Sequence, residues 1–471
     1  MLWACVRLPS LALDAALRRR EPPDRPFALA TGTARQRRLV AVDARARMAG
    51  LAPGQRLAAA EAVCGDLLVD EYDPRATREA LALVAAWAYR YSSEVRLDPP
   101  RAVLLEVERS FGLFGSWLQL QARLRVELAA LGFRHGIALA PTPRAARVLA
   151  GVRDGAAVTA CDALPRALAQ VPVARAGLPE AAAAALAGMG MRTLGAVLAL
   201  PRAALQRRFG QALVEALDRL LGARPDALAP YRPPDRFDAR VEFGYPVQHQ
   251  PALLFPLRRM LGDLAAYLAA RDGGVQRFTL RFVHADAPPT DVAIGLLAPE
   301  RAAAALFEVA KLRLEHVALP APALELEVHA DALPPFAPEA TDLLDARAAN
   351  ALPWPQLVER LRARLGEDAV YGLRADADPR PEHACVRDDG CGAPALPALP
   401  PRPAWLLPRP IPLRGPAPKI LVGPERLETG WWDGGDVRRD YYVLELASGQ
   451  RAWAFAAPGE RGPFMLHGWF A

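Results

Sequence analysis

Lysine is almost missing: of 58 lysine and arginine residues, only Lys311 and Lys419 are lysines. With alanine, leucine and proline abundant, that bias marks a GC-rich genome, so the number of arginines alone says little about chemistry. Cysteines number five, an odd set spread from Cys5 to Cys391. They make no disulfide framework and fit a reducing compartment. No run of 18 uncharged apolar residues occurs, and the N-terminus reaches Arg7, Arg18, Arg19 and Arg20 without a signal-peptide pattern. A soluble, cytoplasmic protein is expected. The seven histidines are scattered and Gly-x-Ser-x-Gly is absent, so a hydrolase triad has no support. His383, Cys385 and Cys391 have irregular spacing and do not make a zinc site. Neither a metal nor an organic cofactor is expected.

What is present is length and apolar content. A chain of 471 residues that is 52% apolar can bury several cores, about three or four domains at ordinary domain size. The net charge of +6 and pI near 9.3 lean toward a polyanionic partner. Residues 1–50 carry ten arginines against four acids, although solvated faces account for such a surplus equally well.

The opening stretch "ACVRLPSLALDAAL" reads as an apolar strand running into a helix, with Arg7 and Pro9 at the junction and Asp14 as the first acid. Strand and helix alternate through residue 75, an α/β unit. A helix over Thr77–Tyr91, a Pro-Pro turn, the apolar run Ala102–Val107, a helix over Trp117–Leu131 and the strand "HGIALA" extend it into one mixed sheet. Residues 178–222 read as helical throughout. From 236 to 333 the pattern is strand, helix, two strands, helix, strand, with "LELEVHAD" alternating cleanly and leucines at 257, 261, 264 and 268 on one helix face. Ten prolines between Pro394 and Pro418 suggest a semi-rigid linker. Beyond it, "GWWDGGDVRRDYYVLELASGQRAWAF" reads as a small β unit with a Ser448-Gly449 turn.

One short motif carries chemistry by itself. In "LAGMGMRTLGAVLALP" two helices flank a Gly-x-Gly hairpin, which lets backbone N–H groups at Gly188, Gly190 and Thr193 approach a phosphate without reading sequence. Arg192 stands beside it, and Arg207 and Arg208 lie one helix later. The same glycines serve equally to end one helix and start the next.

The order of these parts resembles the Y-family translesion DNA polymerases. On that resemblance the fold is α+β: palm over 1–25 and 76–168, interrupted by fingers over 26–75, a helix-hairpin-helix thumb over 169–233 and a little finger over 234–335. A clamp-binding and helical segment (336–392), the linker (393–418) and a C-terminal β module (419–471) follow. Within the family, "RYSSEVRLDPPRAVLLEVERSFGLFG", "GIALAPTPRAARVLA", "RTLGAVLALPRAALQRRFG" and above all "ERLETGWWDGGDVRRDYYVLEL" look like the ImuB branch, regarded as catalytically inactive.

Laying the family's motifs on this chain sets Arg7 on the metal-binding aspartate and Pro9 on the next acid. The second acidic motif falls on Pro99, Pro100, Arg101, Ala102 and Glu106, leaving Glu106 as the one matching acid. The steric-gate aromatic falls on Ala12 and the nucleotide-binding tyrosine on Ala44, while Arg47 keeps the triphosphate-contacting arginine. Two-metal phosphoryl transfer needs cations about 3.5–4 Å apart, held by several carboxylates. The alternative, an active polymerase, would require Asp98, Glu106 and Glu108 to regroup around those cations.

The resemblance thus implies an adaptor in the SOS-type DNA damage response and mutagenic DNA repair. It would link primer-template DNA, the sliding clamp (β clamp), a RecA-like accessory protein of the ImuA type and an error-prone C-family DNA polymerase, at the nucleoid. The clamp peptide would be "ATDLLD", with Asp342, Leu343 and Leu344 but Ala340 where glutamine is usual. "QPALLF" (250–255) has the glutamine but begins a little-finger helix, which favours core packing. Partner docking is expected at Trp431, Trp432, Arg438, Arg439, Tyr441 and Tyr442, because Trp, Tyr and Arg dominate interface hot spots; the alternative reading places the four aromatics Trp431, Trp432, Tyr441 and Tyr442 in the core of the small β unit.

Overall fold

A strand apolar on both sides needs cover on both sides, and β1 (Trp3–Arg7) is such a strand, buried at every position but its last. The computed structural model describes residues 1–20, 23–33, 36–336, 354–387 and 400–470. After β1 come β2 (Phe27–Thr31), β3 (Arg38–Val42), β4 (Leu68–Glu71), β5 (Val95–Asp98), β6 (Ala102–Glu106) and β7 (Gly136–Ala140). The palm sheet has the order β5-β6-β1-β7. Ala4 and Val6 face a core made with the helices Pro74–Ala88 and Trp117–Ala130. Trp3 and Cys5 face the helix Pro143–Val152 and the thumb. The first of these helices starts where it does because Asp73 accepts the N–H groups of Arg75 and Ala76, with Pro74 at the first turn.

The expected single mixed sheet is instead two sheets. Among the described residues every strand of the β5-β6-β1-β7 sheet pairs antiparallel with its neighbours. The parallel pairing, β2 with β4, belongs to a separate three-stranded sheet β3-β2-β4 formed wholly by the insertion. The crossover from β2 to β4 closes on itself there, so it adds nothing to the palm.

Four thumb helices follow: Glu180–Gly188, Leu194–Leu198, Arg202–Phe209 and Gln211–Leu221. The little finger comprises β8 (Phe237–Val247), a helix Gln250–Ala270, β9 (Val275–His284), β10 (Thr290–Glu300), a helix Ala303–Leu314 and β11 (Ala323–Ala330). Its sheet is antiparallel in the order β10-β9-β11-β8, and one face buries Leu280, Phe282, Leu326 and Val328 against Leu257, Leu261, Leu264 and Leu268. Leu253 of "QPALLF" joins that core while Phe255 is exposed. The segment 336–392 is not one piece. Glu359, on the helix Trp354–Leu365, accepts the N–H of Leu297 at 2.5 Å, which ties this helix to β10.

Arg18 joins palm to little finger. Its guanidinium pairs with Asp263, bonds the Leu131 carbonyl at 2.6 Å and lies 4.4 Å from the Phe133 ring centre. Burial pushes the Asp263 carboxyl above the ordinary range, against the pull of Arg18.

Leu365–Ala471 form a second compact unit. A hairpin of β12 (Leu373–Ala375) and β13 (Cys385–Arg387) precedes β14 (Trp405–Pro412), β15 (Lys419–Thr429), β16 (Val437–Glu445), β17 (Arg451–Ala456) and β18 (Met465–Trp469). The last five form one sheet, β14-β18-β17-β16-β15. This corrects the expected 393–418 linker, whose residues 405–412 are an edge strand paired with β18. Pro408 and Pro410 fall in the irregular stretch between the paired residues Leu406 and Ile411, where no ladder N–H is required of them, and an edge strand tolerates such prolines. The sheet therefore starts at 405 and not at 419. The Ser448-Gly449 turn joins β16 to β17, with Gly449 at φ +79°. Among the described residues no helix is long and apolar enough to cross a membrane.

Candidate functional site

At the end of β1, Arg7 stands opposite Ala102 on β6 and Gly136 on β7, and Asp98 on β5 stands opposite Ala102. The Leu8 N–H donates to the Arg101 carbonyl at 2.7 Å, which brings Arg101 to the turn where the exposed Pro9 lies. The structure thus gathers Arg7, Pro9, Arg101 and Ala102 at one end of the sheet. Asp98 is there too, but Arg147 reaches it at 2.9 Å, and Arg144 holds Asp226 at 2.8 Å. Burial raises the Asp98 carboxyl above its ordinary range, and Arg147 and Arg144 work against that.

Glu106 is not part of this group. It stands opposite Trp3 at the other end of the strand pair, only 2% exposed, and accepts N–H groups from Leu2 at 3.4 Å and Glu108 at 3.0 Å. Glu108 pairs with the N-terminal amine at 2.7 Å. A motif alignment gives the residue type but not its end of the strand. Asp14 is likewise structural: buried on the helix Leu11–Leu17, it accepts the Arg134 N–H at 3.0 Å and its Nε at 2.7 Å. Ala12 lines a cleft of about 900 Å³ with Arg19, Arg20, Tyr72, Tyr245 and Phe255. Ala44 and Arg47 are exposed on the helix Ala44–Met48, which is capped by Asp43.

In the thumb, Gly188 ends its helix and Gly190 takes φ +83°, a left-handed turn that favours glycine. Thr193 precedes a helix of only five residues. The first N–H groups of that helix are already used: Leu194 donates to Val171 and Gly195 to Ala169, both at 2.9 Å. The hairpin is closed by its own structure, and what it offers outward is side-chain charge. Arg192, Arg207 and Arg208 are exposed and, among the described residues, have no acidic partner.

In the C-terminal unit the docking candidates separate. Trp431 and Trp432 are 78% and 57% exposed and meet edge to face at 5.8 Å. Their loop is held by Asp433, whose carboxylate takes Arg380 at 2.6 Å and the Gly435 N–H at 2.9 Å. Tyr441 and Tyr442 are buried, which corrects their assignment to a docking surface. Tyr441 stacks on Trp453 at 4.0 Å with its hydroxyl 2.8 Å from His467 Nδ1, and Tyr442 packs on Phe464 across the sheet. Arg439 is turned inward to Glu382 and the Tyr441 hydroxyl, each at 2.9 Å, while Arg438 is exposed beside Asp436. Asp342, Leu343, Leu344 and Cys391 lie outside the described residues. Among the described residues no three His, Cys, Asp or Glu side chains gather as metal ligands.

Residues 12–151 match the impB/mucB/samB family. Protein ImuB of Caulobacter vibrioides strain NA1000 / CB15N is 32% identical over 459 residues, which cover 89% of this chain and 100% of that one. The chain belongs to the ImuB family. Protein ImuB of strain ATCC 19089 / CIP 103742 / CB 15 gives the same figures. Among solved structures, a Dbh ternary complex with partially disordered substrates is 11% identical, covering 71% of this chain and 100% of that chain at a TM-score of 0.40. DinB from Sulfolobus solfataricus is 13% identical, covering 72% and 100% at a TM-score of 0.40. The fold is α+β in the Y-family polymerase arrangement, with a C-terminal extension.

In this ImuB-family palm the sheet end offers the guanidiniums of Arg7 and Arg101, unpaired among the described residues, beside Asp98, which is already ion-paired with Arg147. Reading the sequence did not find Arg144 and Arg147. Their signal was the pair spaced three apart in "PRAAR", at the start of the helix after β7, where successive turns carry one face over the sheet.

Proposed function

We propose that the chain is a non-catalytic adaptor in mutagenic translesion synthesis after DNA damage, acting at the nucleoid in the cytoplasm. It holds primer-template DNA and recruits the sliding clamp, a RecA-like accessory protein and an error-prone C-family polymerase. One observation supports the loss of chemistry most directly: Arg7 ends β1 opposite Ala102, where two-metal catalysis requires carboxylates. A guanidinium about 4 Å from Mg²⁺ repels it by about 8 kcal/mol at an effective dielectric of 20. The remaining acids do not regroup, since Asp98 is engaged and Glu106 and Glu108 lie at the opposite end. Arg192, Arg207 and Arg208 support DNA binding that is electrostatic and weakens steeply with salt. The exposed Trp431–Trp432 pair supports docking of a protein partner.

Primer extension with Mg²⁺ or Mn²⁺ tests the first half: no extension above a buffer control is expected, and extension that Asp98→Asn abolishes overturns the reading. Capture of the purified accessory protein and C-family polymerase tests the second. Trp431→Ala with Trp432→Ala should weaken one of these complexes at least tenfold, about 1.4 kcal/mol, while DNA affinity stays within a factor of about two. Unchanged capture of both removes the docking role from this loop.

A further inference from the structure

An arginine partly removed from water without a carboxylate is uncommon, because burying a charge costs free energy unless something pairs with it. Arg7 is in that position. It is half-buried, flanked on the sheet by Ala102 and Gly136, and its guanidinium lies against Gly151 of the helix Pro143–Val152. Among the described residues neither Arg7 nor Arg101 gives its guanidinium to any acceptor, whereas Arg144 and Arg147 are each paired with a carboxylate. Arg147 and Asp98 complete the surroundings: they and Arg7 all lie near enough to bias the buried Cys5 thiol. With Arg144 and Arg147 neutralised by Asp226 and Asp98, Arg7 and Arg101 leave a local surplus of positive charge.

We infer that this end of the palm sheet is a phosphate-binding site that works without a divalent cation, with Arg7 and Arg101 supplying the positive charge. Guanidinium matches phosphate in geometry, giving paired N–H donors to two oxygens, and each such bond is charge-assisted. The ligand is a phosphate group, either of a free nucleoside triphosphate or of a DNA strand. This inference rests on the adaptor reading only in taking the site to be free of metal.

The test measures binding of the full-length chain in EDTA to inorganic triphosphate, to a deoxynucleoside triphosphate and to a short primer-template duplex. Arg7→Ala with Arg101→Ala should lower affinity at least fivefold in one arm, Arg7→Asp further still, and Arg7→Lys should keep affinity within about threefold of the parent. Loss in the triphosphate arms identifies a free polyphosphate; loss confined to the duplex identifies a strand phosphate. Arg7→Lys, with a thermal melt matching the parent, separates charge from folding. Unchanged affinity of the double variant in all arms overturns the inference, as does phosphate binding seen only when Mg²⁺ is supplied. Primer extension on the same preparations keeps the two readings apart: extension would sink the adaptor reading, whereas the EDTA titrations judge the phosphate site by themselves.

Discussion

The strands β1 and β6 lie side by side for five residues, and their two ends could hardly differ more. At one end Arg7 faces Ala102, with Arg101 on the turn and, among the described residues, no carboxylate paired with either guanidinium. At the other end Trp3 faces Glu106, whose carboxylate is buried and receives two backbone N–H groups. The difference teaches what each acid is for. A carboxylate that satisfies buried backbone donors is part of the fold, and removing it leaves those donors without water or partner. A carboxylate that holds a metal contributes to chemistry but little to folding, so the fold tolerates alanine or arginine in its place.

That contrast can be broken by experiment. The largest effect is expected for Glu106→Ala, which orphans the Leu2 and Glu108 N–H groups in a buried setting. At about 1–3 kcal/mol for each unsatisfied group, urea unfolding should show a loss of about 2–6 kcal/mol, and a loss below about 0.5 kcal/mol would erase the distinction between the two ends. Asp98→Asn is a middle case, within about 1 kcal/mol at neutral pH, because its partner Arg147 is half exposed and rehydrates. Its pH signature is more telling. The folded-state carboxyl lies above its ordinary value because of burial, so the folded chain binds the proton more readily than the unfolded one. Stability contributed by Asp98 therefore falls as pH rises from the ordinary aspartate value of about 3.9 through the raised folded value. The asparagine variant should be flatter across that window, and an unchanged profile would mean that Asp98 titrates alike folded and unfolded. Smallest of all should be Arg7→Ala, whose stability should stay within about 0.5 kcal/mol of the parent, because no partner is lost and a desolvated charge is removed. A loss above about 1.5 kcal/mol would make Arg7 a structural residue and weaken the case for a phosphate site.

The C-terminal unit repeats the lesson in aromatic residues. Trp431, Trp432, Tyr441 and Tyr442 lie within twelve positions, and composition alone marks all four as hot-spot types. Tyr441 and Tyr442 are on β16, an inner strand between β17 and β15, where both are buried, one against Trp453 and the other against Phe464. The tryptophans sit in the loop before it, where no strand covers them. The prolines of β14 misled in the opposite direction. Their density argues against a packed strand in general, yet an edge strand needs hydrogen bonds on one side only, and Pro408 and Pro410 lie where the ladder to β18 is interrupted.

Local pattern was enough wherever one periodicity repeats over a whole element. The strand-helix-strand-strand-helix-strand order of the little finger, the leucine face of its long helix, the apolar β1 and the glycine turn at 449 all follow from residues close together in the chain, because side-chain direction is set by backbone period. Arg7 at the end of β1 was legible in the same way. Which acid stands beside it was not. Antiparallel register places Glu106 one strand-length away and brings Asp98 from β5 to within one strand of Ala102. The helix after β7 then carries Arg147 onto Asp98 from 49 positions later in the chain. Such neighbours are chosen by sheet order and by the angle at which a helix crosses the sheet. Both are settled by burying two apolar faces at once, a condition on the whole palm that no short stretch of sequence contains.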